Sequence, residues 1–341
     1  MDCEAGPVRA IGGLQVLLMR WAHALSIDAD ITLGSIARDG DEAGRYRVPG
    51  EAYSRLLFRH LDELRERAHD YDALSLHQWF DWVSLPERTL LMLHSSIEEC
   101  YRKEAALGFD SIEWRHVLIG LQRPHTVATC AKWATKTVEH HTGRSAITLH
   151  PGIPDDYLKA VAVPARDRRR VIACSGRMTS RKGVDVLLDL VEDNCLGDLV
   201  LEVSSLSPDP AILQRAEHLQ RSGASIRVIA PFAGSSAHAE YLRNVAVVAA
   251  PSILEGFGMI TVEAQAVGVP VVGLAAGGLT EAVLPGGGAL IAPGDRSSLA
   301  AALLAYSHAD VTHDIRAFIN QEFSIKASSS RKLAALSAII N

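Results

Sequence analysis

The sequence has little of what secreted, membrane-spanning and nucleic-acid-binding proteins depend on. Its five cysteines are scattered without a C-x-x-C pair, so neither a disulfide framework nor a zinc site is indicated. No apolar run reaches the roughly 18 residues that span a membrane, and Asp2 and Glu4 stand where a signal peptide carries positive charge. A formal net charge of −6 argues against a broad basic face for nucleic acid. We therefore expect a cytoplasmic protein, with peripheral membrane contact left open.

Length and composition predict two globular domains. A chain of 341 residues usually divides into about two domains, and 48% hydrophobic with 22% charged residues is typical of a soluble protein. The segment 154–168 has two prolines and clustered charge, which is typical of an interdomain linker. The short basic run Arg166–Arg170 at its end is interpreted as solvated. We predict a first domain over 1–154 and a second domain that begins at 155.

Strand-like and helical stretches alternate regularly in the second half. Apolar runs predict strands at 171–174, 199–203, 225–229, 246–250, 269–274 and 288–291. Helical stretches are predicted between and after them, at 183–193, 210–221, 237–243, 259–267 and 297–306. This alternation favours a parallel sheet with helices on both faces, and such sheets bind ligands beyond the carboxyl ends of their strands.

The first half alternates in the same way but less regularly. A glycine loop opens a helix over 12–25, apolar residues stand at helical spacing over 51–71, and a helix ends at Gly143. Strands are predicted at 29–36, 72–77, 88–96 and 145–154. The opening MDCEAGPVRA is a poor strand, so we expect the first strand of this domain to be short or missing. The fold class is therefore α/β, with two Rossmann-like, doubly wound domains facing each other across a cleft.

The stretch EGFGMITVEAQAVGVPVV places carboxylates on both sides of a glycine turn. Gly256 and Gly258 allow positive φ and close approach to a ligand, and a helix begins near Met259. The N-terminus of that helix favours an anion such as a diphosphate. Glu263 suits the two hydroxyls of a ribose, and Glu255 suits the hydroxyls of a sugar on the other side of the diphosphate. The alternative is a helix-start charge and a surface turn residue.

Two basic side chains follow the strand at 171–174. Arg177 and Lys182 bracket a turn that leads into a helix, and both could reach a diphosphate. A solvated surface pair is the alternative for these two residues taken alone. Together with the anion-favouring turn at 256–260, however, they form a coherent diphosphate site.

Three segments taken together resemble a known family. GRMTSRKGVDVLL, PSILEGFGMITVEAQAVGVPVV and GGLTEAVLPGGGALIAPGD look like the C-terminal domain of family-four retaining glycosyltransferases of the GT-B fold. The E-x7-E motif from Glu255 to Glu263 is that family's mark. The first half matches more weakly, in GGLQ, LLMLHSS and ITLHPGIPDDYL. The closing segment resembles the family's final helix, which implies a second domain over 155–322 and a helix over 323–341 that crosses back to the first.

The resemblance implies roles around a nucleotide-sugar donor. Arg177 and Lys182 would bind the donor diphosphate and stabilise the leaving group, Glu263 would hold the ribose, and Glu255 would bind hydroxyls of the transferred sugar. His94 matches a histidine that contacts the donor sugar. The remaining donor contacts would come from loops and backbone, at Gly12, Gly13, Val228, Gly256, Phe257, Gly258, Met259 and Ile260.

The implied reaction moves a hexosyl group from a nucleoside-diphosphate sugar, with a UDP-sugar favoured, to an acceptor hydroxyl with retention of configuration. No carboxylate is clearly placed as a nucleophile, so we favour attack and departure on one face of the sugar. No cofactor or tightly bound metal is expected. Asp28 and Asp30 mimic a metal-binding D-x-D motif but precede a strand, and His140 and His141 are interpreted as a surface pair.

The acceptor is the least specified partner. A faint similarity to glycosyltransferases that decorate aminocyclitol antibiotics favours a small polar acceptor. A polysaccharide or lipid-linked glycan is the rival acceptor. The rival functions are a non-catalytic nucleotide-sugar-binding subunit, against which the intact set of four charged residues argues, and a sugar phosphorylase of similar fold.

Overall fold

The computed structural model describes residues 20–36, 44–47, 54–58, 63, 66–77, 87–94, 125–205 and 208–340. The chain divides into two compact units. The first consists of Met1–Cys130, Thr135–Gly152 and Ile325–Asn341, and the second of Ala131–Ala134 and Ile153–Ser324. Gly12, Gly13 and the expected short first strand lie outside the described residues. In the part of the chain that the structure describes, no helix is long and apolar enough to cross a membrane.

The first unit contains a four-stranded parallel sheet in the order β4-β5-β6-β7 (Leu74–His77, Thr89–Leu93, Thr126–Thr129, Ile147–Thr148). Strand β5 is wholly buried, as its sequence TLLML predicts. The C-terminal helix, Ile325–Ile340, packs against β5. It is fixed to the N-terminal part of the unit where Trp21 Nε1 donates to Ser328 Oγ at 2.9 Å.

A second sheet of the first unit differs from the prediction. It has the order β1-β3-β2 (Thr32–Ile36, Ser54–Phe58, Gly44–Arg47), with β2 antiparallel to β3. The helix predicted from apolar spacing over 51–71 is therefore wrong at 54–58, where SRLLF is a strand. A short apolar run satisfies the strand and the helix patterns equally, so spacing alone cannot separate them. Strand β2 was not predicted at all.

The second unit is built on a six-stranded parallel sheet. Its strand order is β10-β9-β8-β11-β12-β13 (Ile226–Ile229, Val200–Ser204, Arg169–Ser175, Val245–Ala250, Val271–Leu274, Gly288–Ile291). The helices of this unit are Asp155–Lys159, Val184–Glu192, Pro210–Arg221, Ser235–Leu242, Met259–Ala266, Leu279–Ala282, Arg296–Tyr306 and His313–Phe323. Each predicted strand and helix from 171 to 306 is confirmed, with ends within two residues. Apolar residues that pack on both faces explain this agreement, as in β11, which reads VAVVAA and is buried throughout.

The basic run before β8 is not simply solvated. The side chain of Arg168 is fully buried, with 0% exposed. Its guanidinium donates to the carbonyls of Val163 at 2.8 Å, Ala309 at 3.0 Å and Gly268 at 2.8 Å, and to Asp310 Oδ1 at 2.7 Å. A buried arginine needs several acceptors because each unpaired N–H group would cost free energy. Arg168 thus ties the segment that leads into β8 to two other loops of the second unit.

Candidate active site

The strand order of the second sheet reverses between β8 and β11. From β8 the chain continues to β9 and β10 on one side, whereas β11 continues to β12 and β13 on the other. Neighbouring loops diverge at such a reversal and leave a crevice beyond the carboxyl ends of the two strands. The segments that follow β8 and β11 carry Arg177, Lys182 and Glu255, three of the predicted catalytic residues.

The turns after β8 and β11 lie directly against each other. A short 3-10 helix, Ser180–Lys182, follows β8, and the carbonyl of Arg181 accepts from the backbone N–H of Ile253 at 3.1 Å. Gly183 ends that turn at φ +69°, and a Cβ at this position would lie 2.1 Å from the carbonyl oxygen of Pro251. Only glycine meets both demands, since it tolerates positive φ and has no Cβ. This contact places Lys182 beside the end of β11.

Lys182 and Glu255 form a hydrogen-bonded ion pair at this junction. Lys182 Nζ donates to Glu255 Oε2, and Ser252 Oγ donates to the same oxygen at 3.1 Å. Only 23% of the lysine side chain and 14% of the glutamate side chain are exposed. Burial raises the pKa of Glu255, but the charge of Lys182, the two hydrogen bonds and the charge of Arg181 together hold that pKa below its ordinary value. Glu255 is therefore an anionic hydrogen-bond acceptor at neutral pH.

The glycine turn after Glu255 leads into the predicted helix. Gly258 has φ +95° and is the residue before the helix Met259–Ala266. Its carbonyl accepts from Thr261 N at 2.9 Å and from Thr261 Oγ1 at 2.7 Å. The first N–H groups of a helix have no acceptor within the helix, so those of Met259 and Ile260 are suited to an anion. The predicted helix start at Met259 is confirmed.

Trp133 holds the glycine turn from one side. Its Nε1 donates to the carbonyl of Gly256 at 3.1 Å, and its ring carbon Cζ2 would lie 2.9 Å from a Cβ on Gly277. On the other side, the backbone N–H of Gly278 donates to the carbonyl of Glu255 at 2.9 Å. Because the C=O and N–H of a trans peptide point in opposite directions, fixing the Gly256 carbonyl also fixes the direction of the Phe257 N–H.

Glu281 in turn holds Trp133. The carboxylate accepts from the backbone N–H of Trp133 at 2.7 Å and of Lys132 at 2.9 Å. These two residues begin the helix Lys132–Thr142, whose first turn belongs to the second unit. A carboxylate at a helix N-terminus satisfies N–H groups that have no partner within the helix and complements the helix dipole. Trp133, Glu281 and Ser252 were not predicted as site residues.

Glu263 lies in a second group of polar side chains. The residue is 8% exposed, and its Oε2 lies 3.8 Å from Nδ1 of His238. The same nitrogen is hydrogen-bonded to the Tyr157 hydroxyl at 2.9 Å. Tyr157 and His238 were not predicted as site residues, and no motif spacing in the sequence would have joined them to Glu263.

The other predicted donor contacts are placed as follows. Arg177 is exposed just after β8. Phe257 is buried and packs on Phe323 with ring centroids 5.5 Å apart, so its side chain belongs to the core and only its backbone could face a ligand. Val228 lies in β10, and its backbone N–H donates to Gln220 Oε1 at 2.6 Å. That N–H is therefore already bound within the protein.

His94 belongs to the first unit. It directly follows β5, and burial together with the positive charge of Lys332 lowers its pKa to about 3. The imidazole is therefore neutral at physiological pH. Lys332 lies on the C-terminal helix with Nζ 4.2 Å from the ring centroid of Trp21.

The candidates for a metal site do not assemble into one. Among the described residues, no group of three or more His, Cys, Asp or Glu side chains could hold a metal ion. His140 and His141 contact each other edge to face with centroids 4.9 Å apart, at the end of their helix.

Comparison with known proteins decides the class of the second unit. The family model "Glycosyl transferases group 1" matches residues 169–308, which include β8 to β13 and both turns described above. The chain carries a group 1 glycosyltransferase domain. This domain contains Arg177, Lys182, Glu255 and Glu263.

A curated relative and solved structures extend the comparison to the rest of the chain. D-inositol 3-phosphate glycosyltransferase of Geodermatophilus obscurus is 27% identical over 294 residues, which cover 77% of this chain and 65% of that protein. Sucrose-phosphate synthase from Thermosynechococcus elongatus superposes with a TM-score of 0.79 at 16% identity, covering 97% of this chain and 94% of that one. HepE of Anabaena in complex with UDP-glucose gives a TM-score of 0.73 at 16% identity, covering 98% of both chains.

These likenesses show the fold of the chain. Its two parallel-sheet α/β units match the GT-B architecture, as the sequence predicted. The roles of the individual residues stay predictions, because similarity at 16% identity concerns the fold alone.

Proposed function

We propose that this glycosyltransferase is a retaining enzyme that transfers a hexosyl group from a UDP-sugar to a hydroxyl of a small polar acceptor. The observation that carries the proposal is the contact between Lys182 and Glu255 at the point where the strand order reverses. A cation for the diphosphate and a carboxylate for sugar hydroxyls stand side by side there, next to a helix N-terminus that favours an anion. The donor class is supported by HepE, which has the same fold and was solved with UDP-glucose.

Lys182 can bind Glu255 and the donor diphosphate at the same time. An ammonium group has three N–H donors, of which one is directed at Glu255. The other two are available for diphosphate oxygens, while the pair with Glu255 keeps the side chain in place. Arg177, exposed after β8, would add a second cation. These positive charges stabilise the negative charge that develops on the departing diphosphate. This electrostatic stabilisation makes the largest contribution to the rate of such a reaction.

The sugar is placed by Glu255 and the nucleoside by Glu263. In the proposed reaction the bond between the anomeric carbon and the diphosphate oxygen breaks, and the acceptor oxygen bonds to the same face of that carbon. The proton of the acceptor hydroxyl passes to the departing diphosphate oxygen. Configuration is retained because bond breaking and bond making occur on one face, with no carboxylate of the chain as nucleophile.

A small polyol is the acceptor class that we favour. The curated relative is called an inositol 3-phosphate glycosyltransferase, so its acceptor is a cyclitol by name. The sequence itself shows a faint similarity to enzymes that glycosylate aminocyclitols.

Thermal unfolding with UDP, GDP, ADP and dTDP tests the donor site. A ligand at 100 times its dissociation constant adds about 2.7 kcal/mol to the free energy of unfolding, which raises the midpoint by a few degrees. We expect UDP to stabilise the wild type and not Glu263→Ala, whereas the surface control Glu240→Ala should behave as the wild type.

A turnover assay then tests the chemistry. Release of UDP from UDP-sugars with a panel of cyclitols should be lost in Lys182→Ala and Glu255→Ala. Binding without turnover in the wild type would indicate a non-catalytic nucleotide-sugar-binding subunit. Absence of any nucleotide effect on a well-folded wild type would contradict the proposal.

A further inference from the structure

His238 lies where it can act on the predicted ribose carboxylate. It is on the helix Ser235–Leu242, with Nδ1 2.9 Å from the Tyr157 hydroxyl and 3.8 Å from Glu263 Oε2. Its side chain is 15% exposed and that of Glu263 is 11% exposed. One nitrogen of the imidazole therefore faces both a hydroxyl and a carboxylate in a place largely shielded from water.

Aromatic rings fix the orientation of the imidazole. The Phe232 centroid lies 4.9 Å from that of His238, and the Tyr241 ring is stacked at 6.4 Å with an interplanar angle of 11°. Tyr157 contacts the ring edge to face at 5.9 Å. A ring held by three neighbours cannot easily turn Nδ1 away from Glu263, so its charge state must affect that carboxylate.

The charged residues on the described elements that pack against this imidazole are mostly paired with other residues. The helix Ser235–Leu242 packs against the helices Asp155–Lys159 and Met259–Ala266 and against β11, which has no charged residue. On the first of these helices, Asp156 accepts from Ser235 Oγ at 2.5 Å and Asp155 pairs with Lys159 at 2.8 Å. On the helix of His238 itself, Glu240 pairs with Arg243 at 2.6 Å. Glu263 is the acid that faces the ring from the second helix.

We propose that His238 is a positioning residue that controls whether the Glu263 carboxylate is offered to the ribose of a bound nucleotide. This inference rests on the proposed function, because it assumes that Glu263 binds the donor ribose. It adds a residue pair, Tyr157 and His238, and a pH dependence that the proposed function alone does not contain.

The direction of the effect follows from the donors and acceptors. With a neutral ring that accepts from the Tyr157 hydroxyl, Nδ1 has no proton to give to Glu263, and the carboxylate oxygens face the ribose. With a protonated ring, Nδ1–H is shared between the phenol oxygen and Glu263 Oε2, and the cation holds that oxygen by charge as well. The ribose hydroxyls then compete with an internal ion pair, so nucleotide affinity falls as pH falls.

Calorimetric titration of UDP between pH 5.5 and 8.5 tests this effect in the wild type and His238→Gln. Histidine side chains change charge within this range. We expect affinity to fall toward low pH about two- to fivefold more in the wild type than in the variant, as for one partly exposed ion pair. Titration of the UDP terminal phosphate is common to both proteins and cancels in the comparison. With 2′,3′-dideoxy-UDP, which lacks the ribose hydroxyls, the difference between the two proteins should vanish.

The other outcomes distinguish a failure of this inference from a failure of the proposed function. Equal pH dependence in the wild type and His238→Gln, or a difference that persists with the dideoxy nucleotide, overturns the role of His238 and leaves the proposed function intact. Failure of UDP, GDP and ADP to bind the wild type at any pH contradicts the proposed function and this inference with it. Should His238→Gln not fold, Tyr157→Phe is measured instead. This variant lacks the hydroxyl that donates to Nδ1 of the neutral ring, so its affinity for UDP should begin to fall at a higher pH than in the wild type. An unchanged profile would overturn the inference.

Discussion

Lys182 and Glu255, which are 73 positions apart along the chain, are joined by an ion pair between the turns that follow the neighbouring strands β8 and β11. The pair couples stability to function, because the two charges that pair with each other in the free protein are also the ones proposed to bind the donor. Removing one charge therefore affects both properties at once.

Lys182→Met should lower both stability and turnover. The substitution keeps the aliphatic stem but leaves the Glu255 carboxylate without its cation, which costs about 1–3 kcal/mol at a mostly buried position. Turnover should fall at least about 100-fold with the loss of leaving-group stabilisation. Combining Lys182→Met with Glu255→Gln should recover part of the stability and none of the activity. Urea unfolding of the four proteins measures this coupling, and additive losses would contradict it.

The pair also gives stability a pH dependence of known sign. The folded-state pKa of Glu255 is below its ordinary value of 4.5, so the unfolded chain takes up the proton first as pH falls. The contribution of the pair to the free energy of unfolding is therefore present at neutral pH and declines from about pH 5 downward. It is lost once the pH falls below the folded-state pKa of Glu255. In Lys182→Met this part of the acid sensitivity should disappear. An identical acid transition in both proteins would show that the pair contributes nothing.

Gly183→Ala should be far more destabilising than Gly223→Ala. Both glycines have positive φ, +69° and +84°, so each alanine pays a similar backbone cost of about 1 kcal/mol. Only at position 183 would the new Cβ meet backbone, 2.1 Å from the carbonyl oxygen of Pro251, whereas nothing lies within 4 Å at position 223. We expect a melting temperature lower by several degrees more for Gly183→Ala, together with weaker nucleotide binding. Equal effects of the two substitutions would mean that the turns can separate freely.

Trp133→Phe should weaken nucleotide binding and lower the free energy of unfolding by only about 1 kcal/mol, the contribution of one hydrogen bond. Phenylalanine keeps an aromatic ring against Gly277 but removes the N–H that Nε1 donates to the Gly256 carbonyl. The peptide between Gly256 and Phe257 then loses its fixed direction, and the loss of one hydrogen bond corresponds to an affinity for UDP about three- to tenfold lower. Calorimetry measures this directly, with Trp133→Leu as the more severe variant. Unchanged affinity in Trp133→Phe would show that the glycine turn is held without it.

The second unit was predictable from sequence because local pattern and tertiary environment agree there. Apolar runs such as VAVVAA, which alternate with helical stretches, indicate strands buried on both faces, and glycine marks the turns that follow β8 and β11. In the first unit the same reasoning failed at SRLLF, where a short apolar run gave a helical spacing by coincidence. Motif spacing correctly indicated the helix start at Met259.

Partners remote along the chain were beyond prediction. Arg168 belongs to a run that has the composition of a solvated linker, yet it is buried because loops around 268 and 310 supply its acceptors. Tyr157 and His238 likewise meet Glu263 only because three helices pack together. A charge or an imidazole in a sequence does not show which carbonyls or carboxylates will surround it, and these surroundings determine its role.

Lys332 should give the stability of the protein an alkaline pH dependence. Burial lowers its pKa in the folded state from 10.5 to about 7. Between these two values the unfolded chain binds one more proton than the folded chain, so the free energy of unfolding rises with pH, by up to about 1.4 kcal/mol per pH unit. Urea unfolding at pH 7, 8 and 9 should show this rise in the wild type and not in Lys332→Met.

The exposed Lys326, on the same helix, provides the control Lys326→Met, which should keep the wild-type slope. Equal slopes in Lys332→Met and the wild type would mean that Lys332 keeps its proton in the folded protein, held as a cation over the ring of Trp21.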